Sequence, residues 1–437
     1  MMRELADAFW MPFTANRAFR EAPRIVDRAE GVMLFDSTGR EVLDATAGLW
    51  CTNLGHCRVE ISEAVAAQLS RLDYSSVFNF GHEIGFTYAQ RLVKLLPADL
   101  NHVFFGTSGS DAVESALKIA LQYWKCKGMS RKTRFIGRQR GYHGVNFGGI
   151  SVGGITPNFH GFGQWLPVDH LSHTLNIEKN AFSRGLPEHG LELADELENR
   201  LLFHGSDTVA AVIVEPIPGA GGVIPPPAGY LKRLRDICTR HDVLLIFDEV
   251  VTGWGRTGSP FAAIEFDVTP DMLTSAKGIT NAAFPLSATF VSDEIYDSCM
   301  QNSASPIELF HGYTYSAHPA ACAAGMASLD IYERENLLTR ASGDIGKHWE
   351  NALHSLADLP GVIDVRNYGL LGAVEMRSPN LETGTLGARA VSLAWQEGVM
   401  VRGVGDAICM SPPLIIEPQH IDRIMDALRI VIPALTC

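Results

Sequence analysis

Short apolar runs recur through the middle of the chain. Val209–Val214 is wholly apolar, and so are residues 244–247. A run of this length without alternation is typical of a strand buried on both faces, as in a parallel sheet covered by helices. By the same criterion we expect further strands at residues 102–105, 133–136, 271–276 and 286–291.

Between these runs, apolar residues recur every three or four positions, which predicts amphipathic helices. Apolar faces with this spacing are Ile61, Val65, Leu69 and Leu72; Ile84, Tyr88, Leu92 and Leu95; and Val113, Leu117, Ala120, Leu121 and Trp124. Strands that alternate with helices predict an α/β fold with a mostly parallel central sheet.

The two ends of the chain have a different pattern. Residues 1–30 lack periodicity, so we expect an irregular arm whose apolar residues pack on this subunit or on a partner subunit. Residues 31–44 predict a β-hairpin that turns at 37–40. From about residue 320 on, a helix that begins near Pro319 and short apolar pieces between helical stretches predict a smaller α+β domain.

Three of the predicted buried strands lead into an ionisable residue. Glu215 follows one strand, Asp248 ends the next 33 residues later, and Lys277 follows the third after another 29 residues. Each interval is about one β-α-β repeat, so the three side chains should meet at the carboxyl edge of one sheet, where ligands bind in such folds. A lysine that can form a Schiff base and an aspartate that can hold a pyridinium N–H are the groups that pyridoxal phosphate needs most.

A second ligand signal lies in residues 106–110, where small residues join a strand to a helix. Backbone N–H groups at such a helix N-terminus can bind a phosphate. The loops at 216–229 and 253–258 are rich in glycine, but neither fits G-x-G-x-x-G after a strand, which counts against a dinucleotide fold or a nucleotide-binding oxidoreductase.

Composition narrows the function further. The formal charge is −13, from 36 Lys and Arg against 49 Asp and Glu, which argues against a nucleic-acid or anionic-membrane surface. The 8 cysteines are scattered without C-x-x-C pairs, so we expect reduced thiols and no metal site; His56 and Cys57 have no second ligand pair at zinc-like spacing. Neither a signal peptide nor a membrane span is apparent, and we expect a cytoplasmic protein.

The segment 246–256 with Ala276-Lys277-Gly278, and the Gly-Tyr-His-Gly motif at 141–144, resemble class III aminotransferases. The resemblance covers nearly the whole chain and is greatest for the omega-amino acid–pyruvate (beta-alanine–pyruvate) branch. It implies the pyridoxal-phosphate fold type I, with an arm and part of the small domain at 1–75, a large cofactor domain at 76–318 and the rest of the small domain at 319–437.

The resemblance also implies the cofactor contacts. Lys277 would form the Schiff base and move the proton between the substrate carbon and the cofactor, and Asp248 would hold the ring nitrogen. The other expected cofactor-binding residues are Ser108, Gly109, Ser110, Tyr142, His143, Glu215, Val250 and Thr314, of which Val250 and Tyr142 would lie against the two ring faces. Thr314 would reach the phosphate of a neighbouring subunit, which implies a homodimer or dimer of dimers with shared sites. Asp111 stands where the family has glutamate, and its effect on the phosphate loop is left open.

Substrate binding is expected at Trp50, Tyr142 and Arg402, with Arg402 on the carboxylate of pyruvate or alanine and Trp50 as an apolar wall. The implied reaction is a ping-pong transfer of an amino group from a beta-alanine-type donor to pyruvate, giving alanine and an aldehyde or ketone. The alternatives are a taurine–pyruvate or general amine–pyruvate transaminase, or another class III enzyme such as an aminomutase or a decarboxylase.

Overall fold

The computed structural model describes residues 8–436. The strands are β1 (Val26–Glu30), β2 (Met33–Asp36), β3 (Glu41–Asp44), β4 (His102–Gly106), β5 (Arg134–Arg138), β6 (Val168–Leu171), β7 (Val209–Val214), β8 (Leu244–Asp248), β9 (Met272–Ser275), β10 (Ser287–Val291), β11 (Val362–Tyr368), β12 (Leu371–Met376), β13 (Val399–Met400), β14 (Arg402–Val404) and β15 (Ala407–Met410).

The helices are α1 (Asn16–Glu21), α2 (Val59–Arg71), α3 (Glu83–Val93), α4 (Gly109–Cys126), α5 (Phe147–Val152), α6 (Thr156–His160), α7 (Ile177–Asn180), α8 (Glu196–His204), α9 (Tyr230–Arg240), α10 (Ala262–Glu265), α11 (Asp293–Asn302), α12 (Pro319–Arg334), α13 (Asp344–His354), α14 (Leu386–Gln396) and α15 (Pro418–Thr436). No helix among these described residues has both the length and the apolar character needed to cross a bilayer.

The large sheet has the strand order β4-β10-β9-β8-β7-β5-β6. β10 runs antiparallel to both of its neighbours, whereas β5 to β9 pair in parallel. Every residue of β7 and β8 is buried, because helices cover both faces of the sheet. The prediction of a mostly parallel central sheet is confirmed.

Two four-stranded sheets form the rest of the β-structure. One has the order β1-β2-β3-β13 and the other β11-β12-β15-β14. β13 pairs in parallel with β3, so that Val399 lies opposite Leu43 and Met400 opposite Asp44. The N-terminal and C-terminal segments thus share one sheet, as the fold prediction requires. The boundaries after residues 75 and 318 stay a prediction.

The prediction of an irregular arm over residues 1–30 is wrong in part. Helix α1 and strand β1 lie within it, while residues 1–7 fall outside the described part of the chain. Four of the five positions of β1 are exposed, so its sequence carries no apolar alternation from which a strand could be recognised. The aromatic residues Phe9, Trp10 and Phe13 are mostly exposed.

Candidate active site

Three ionisable side chains lie at the carboxyl edge of the large sheet. Val214 pairs with Phe247 in parallel register, which places Glu215 level with Asp248. Lys277 follows β9 two residues after its end and opens a 3-10 turn, Lys277–Thr280. The convergence predicted from the spacing of the three residues is therefore present in the fold.

The Asp248 carboxylate is buried and held from three directions. His143 Nδ1 donates to Oδ2 at 2.8 Å, while Thr274 Oγ1 at 3.1 Å and the backbone N–H of Val250 at 3.2 Å donate to Oδ1. Nε2 of His143 is buried and has no hydrogen-bond partner among the described residues, which fits a ring protonated at Nδ1. The hydrogen bond from His143 thus helps to fix the Asp248 carboxylate in a place from which water is largely excluded.

Lys277 is held in a left-handed conformation, with φ of 53°. For a residue with a Cβ this costs about 1–2 kcal/mol, so the surrounding structure must impose it. Burial lowers the pKa of the ammonium; Cys51, Asp248 and Glu215 act in the opposite direction, and the Arg402 charge adds to the lowering. Nζ makes no hydrogen bond within residues 8–436, so a lysine with an increased neutral fraction stands free to react.

Close packing explains why a glycine, Gly278, follows Lys277. A Cβ at Gly278 would come within 2.7 Å of Cβ of Trp254, so only glycine allows the two backbones to approach so closely. The Ala-Lys-Gly sequence is thus fitted to the neighbouring loop, residues 253–258.

The loop before α4 has the features of an anion site. Ser108 caps α4 by accepting from the Asp111 N–H at 3.2 Å, and the N–H groups of Gly109 and Ser110 make no hydrogen bond within the described residues. A Cβ at Gly109 would lie 3.1 Å and 3.2 Å from the two γ-carbons of Val250. The predicted phosphate loop therefore packs directly on Val250, two residues after the buried Asp248. Ser110 Oγ accepts from the Val145 N–H at 3.1 Å, which leaves its own proton available to a ligand.

Asp111, which replaces the glutamate usual in the family, stabilises the loop from inside. Oδ2 accepts from Thr107 Oγ1 at 2.6 Å and from the Thr107 N–H at 3.3 Å, and Oδ1 accepts from Asn146 Nδ2 at 3.4 Å. The Asp111 side chain, which is shorter than that of glutamate, thus accepts hydrogen bonds from its own loop and from Asn146.

Glu215 positions the loop of the Gly-Tyr-His-Gly motif. Its carboxylate accepts from the Tyr142 N–H at 2.8 Å and from the Gly219 N–H at 2.9 Å, and burial raises its pKa. The observed contacts of Glu215 are thus with the two loops beside the ligand position. Burial also raises the pKa of Tyr142, whose half-buried phenol remains neutral at physiological pH.

The Trp50 ring lies close to two basic side chains. Its ring centroid is 5.6 Å from Lys277 Nζ and 5.2 Å from Cζ of Arg402. The Arg402 guanidinium has no carboxylate within ion-pair distance in the described chain, and its Nε is buried without a partner. Arg402 is partly buried, and a guanidinium without a carboxylate partner beside the lysine is a ready site for a carboxylate ligand.

No hydrogen bond joins Thr314 to another predicted site residue in the described part of the chain. Thr314 is exposed, and its backbone carbonyl accepts from the Tyr74 hydroxyl at 2.9 Å. Its segment is anchored by Ser316 Oγ, which donates to the Phe105 carbonyl at 2.8 Å.

Thr274 and Arg256 were not predicted as site residues. Thr274 is paired with Asp248 across β8 and β9, so aligning the charged ends of the two strands would have pointed to it. Arg256 is fully buried and links the 253–258 loop to Asn53 and to residues 411–412. Its partners are more than 150 residues away in sequence, and no local signal indicates them.

The residues present fit pyridoxal phosphate. A buried carboxylate suits a protonated pyridine nitrogen, a free lysine of lowered pKa suits the aldehyde, and unpaired N–H groups at the start of an 18-residue helix suit the phosphate. No group of His, Cys, Asp and Glu that could hold a metal ion occurs between residues 8 and 436.

The fold and this arrangement define a pyridoxal-phosphate enzyme of fold type I. The chain belongs to the class-III aminotransferase family, whose model matches residues 14–432. It is 52% identical to the omega-aminotransferase of Caulobacter vibrioides over 98% of this chain and 97% of that protein. It is 49% identical to the beta-alanine–pyruvate aminotransferase of Pseudomonas aeruginosa over 96% of this chain and 94% of that protein. Among solved structures, an amine transaminase from an uncultivated Pseudomonas species in its PLP-bound form superposes with a TM-score of 0.91 at 36% identity, covering 98% of both chains.

Proposed function

We propose that this pyridoxal-phosphate aminotransferase moves an amino group from a beta-alanine-type omega-amino acid or amine to pyruvate, which leaves as alanine. The observation that carries the proposal is the unpaired Arg402 guanidinium beside Trp50 and Lys277. A guanidinium binds a carboxylate with two parallel hydrogen bonds, and pyruvate has its carboxylate next to the reacting carbon. The similarity to a beta-alanine–pyruvate aminotransferase supports the same donor class.

The catalytic roles follow from position and charge. Pyridoxal phosphate, when bound, supplies a conjugated ring that accepts the electrons released at the amine-bearing carbon. Lys277, with its lowered pKa, takes a proton from that carbon and returns one to the carbon of the keto acid. Asp248, held by His143 and Thr274, keeps a positive charge on the ring nitrogen.

The remaining residues hold and orient. Ser108, Gly109 and Ser110 would hold the phosphate at the start of α4, and Val250 and Tyr142 would lie against the two faces of the ring. Arg402 fixes the carboxylate of pyruvate, and the Trp50 ring walls the pocket against bulky substituents.

Replacing Arg402 tests the acceptor. Loss of hydrogen bonds from a charged donor weakens binding by about 1.5–3 kcal/mol, so we expect Arg402→Gln to raise the KM for pyruvate about 10-fold or more. The amine half-reaction with 1-phenylethylamine, which has no carboxylate, should change little. Arg389→Gln, at an exposed arginine on α14, is the matched control. An unchanged KM for pyruvate in Arg402→Gln would contradict the role of Arg402 in binding the acceptor. A panel of amine donors that includes taurine tests the donor class separately.

We also propose that two copies of the chain form a homodimer with shared sites. Thr314 is exposed, and large aromatic side chains are exposed as well: Phe80 at 73%, Phe310 at 87% and Trp10 at 89%. So much aromatic surface on one subunit favours a partner of the same chain. The domain boundaries given above and a cytoplasmic location are part of the same proposal.

Subunit mixing tests the shared site. Neither Lys277→Ala nor Thr314→Val should be fully active alone, but a heterodimer of the two contains one intact site if Thr314 serves its partner. Activity should therefore recover on mixing. The control is Lys277→Ala mixed with Asp248→Ala, which should not recover because both residues belong to the same subunit's site. Equal results from both mixtures would show that Thr314 acts locally or not at all.

A further inference from the structure

Asp44 is a fully buried carboxylate that none of the roles above uses. It ends β3 and accepts four hydrogen bonds, three of them from the loop that follows: from the Thr46 N–H at 2.9 Å, Thr46 Oγ1 at 3.1 Å and the Gly48 N–H at 2.7 Å. The fourth comes from His56 Nε2 at 2.8 Å. A buried charge with this many donors fixes the geometry of whatever carries those donors.

The loop that Asp44 holds has an unusual backbone. Ala47, Gly48 and Trp50 have φ of 46°, 67° and 59°, and the segment Ala47–Trp50 is not a regular helix. Residues with a Cβ avoid the left-handed region, so two such residues within four positions persist only where surrounding contacts impose them. The Trp50 N–H closes the loop on the Thr46 carbonyl at 2.8 Å, which ties the tryptophan to the residue that Asp44 binds twice.

The backbone of Asp44 and Ala45 joins the start of the Trp50 loop to the strand before Arg402. Asp44 is paired with Met400 across β3 and β13, and the Ala45 N–H donates to the Met400 carbonyl at 3.1 Å, two residues before Arg402. On its other side the Trp50 ring is confined by the 216–229 loop, since a Cβ at Gly219 would lie 3.3 Å from Trp50 Cζ3. Small shifts of the Trp50 loop therefore change the space beside Lys277.

We propose that Asp44 is a positioning residue that sets donor specificity by locking Trp50 in place beside Lys277 and Arg402. The inference rests on the proposed function, in which Trp50 walls the substrate pocket. Asp44 touches no substrate; it acts through the backbone of the loop. Its loss should loosen the wall and reduce discrimination against bulky amines.

The test compares two donors with pyruvate as acceptor. Asp44→Asn keeps the shape and the Thr46 contacts but turns an amide N–H₂ toward the Gly48 N–H, which loses its acceptor, and toward His56 Nε2, which can accept from the amide in its other tautomer. The ratio of kcat/KM for beta-alanine to kcat/KM for 1-phenylethylamine should fall about 10-fold, the size of effect that one lost charged hydrogen bond produces. Thr46→Val, which removes the hydroxyl near Asp44 and near the Gly48 carbonyl, should lower the ratio in the same direction and serves if Asp44→Asn does not fold.

A matched control exists in the hairpin. Asp36 accepts from the Thr38 N–H at 2.9 Å and from Thr38 Oγ1 at 2.6 Å, the same local motif at a turn remote from the site. Asp36→Asn should leave the ratio unchanged. In a Trp50→Ala background, Asp44→Asn should no longer change the ratio. Amide hydrogen exchange should rise in a peptide covering residues 45–52 in Asp44→Asn but not in Asp36→Asn.

Two results would overturn the inference: equal loss of kcat/KM for both donors, or a change of ratio that persists without Trp50. If the wild-type enzyme does not accept beta-alanine, the proposed donor is wrong; the Asp44 test then uses any accepted small donor against an aryl-substituted one.

Discussion

Arg256 provides a test of how the loop beside the lysine is fixed. The guanidinium is fully buried and has no carboxylate partner within residues 8–436. Nη2 donates to Asn53 Oδ1 at 2.6 Å, and Nη1 donates to Ser411 Oγ at 2.9 Å, to the Ser411 carbonyl at 3.2 Å and to the Pro412 carbonyl. One side chain thus joins the 253–258 loop to an N-terminal and a C-terminal segment. The perturbation is Arg256→Met, which keeps an apolar stem and removes every donor.

The expected loss follows from two opposing contributions. Each hydrogen bond from a charged donor contributes about 1.5–3 kcal/mol, so the loss of the Arg256 donors to acceptors on three residues, Asn53, Ser411 and Pro412, costs about 5–9 kcal/mol. Burial lowers the pKa of Arg256 from 12.5 to about 10, so an uncharged side chain recovers about 3 kcal/mol. We expect the free energy of unfolding to fall by about 2–6 kcal/mol.

The assay is urea denaturation of the cofactor-saturated protein, followed by tryptophan fluorescence and analysed by midpoint and slope. The control is Arg91→Met. Arg91 bonds two carboxylates, Asp330 at 2.6 Å and Glu333 at 3.0 Å. Both carboxylates are more than half exposed, and pairs open to solvent contribute about 1 kcal/mol or less. Arg256→Met should therefore lower the free energy of unfolding more than Arg91→Met does, although Arg91 makes two ion pairs. If the two variants lose equal stability, the account of Arg256 as a buried tie between segments is wrong.

Three further predictions concern the cofactor site and pH. Gly109→Ala should weaken pyridoxal-phosphate binding about 5-fold or more, because the added Cβ would lie 3.1 Å from Val250 and such overpacking costs about 1–3 kcal/mol. Equilibrium dialysis measures the affinity, and an unchanged affinity would contradict the packing of this loop on Val250. The rate at which cofactor-free protein takes up pyridoxal phosphate should rise with pH and reach a plateau below the ordinary pKa of lysine. Arg402→Gln should move this pH profile to higher pH, because it removes a positive charge that lowers the pKa of Lys277. An unchanged pH profile in Arg402→Gln would contradict this coupling. Burial raises the pKa of Glu249 from 4.5 to about 7, so the folded state keeps a proton that the unfolded chain loses in this pH range. The free energy of unfolding should therefore fall as the pH rises from about 4.5 to about 7. Glu249→Gln should make the free energy of unfolding, measured by urea denaturation, less dependent on pH over this range.

The parts of the fold that were predictable are those in which burial dictates the sequence. Val209–Val214 has the predicted bounds because a strand covered on both faces must be apolar throughout. Asp248 and Lys277 were placed correctly for a related reason: a charge that ends or follows such a strand can only lie at the sheet edge. The family motifs then supplied roles for the residues around them.

What the sequence did not predict depends on contacts between distant segments. His143 meets Asp248 across 105 residues, and Arg256 meets Ser411 across 155, so neither partner is readable locally. The left-handed conformation of Trp50 is also not readable from the sequence, because alanine and tryptophan do not favour it and contacts of the folded loop impose it. Strand β1 is exposed at most positions and carries no periodic signal.

The most direct test of the central claim is the absorbance spectrum of the pyridoxal-phosphate-loaded protein, recorded before and after adding beta-alanine and then pyruvate. The account predicts a band of lysine-linked cofactor that beta-alanine bleaches and pyruvate restores, with alanine formed, and no such band in Lys277→Ala. A wild-type band that ignores beta-alanine but bleaches with alanine would contradict the donor. A wild-type protein that forms no band at all would contradict the role of Lys277.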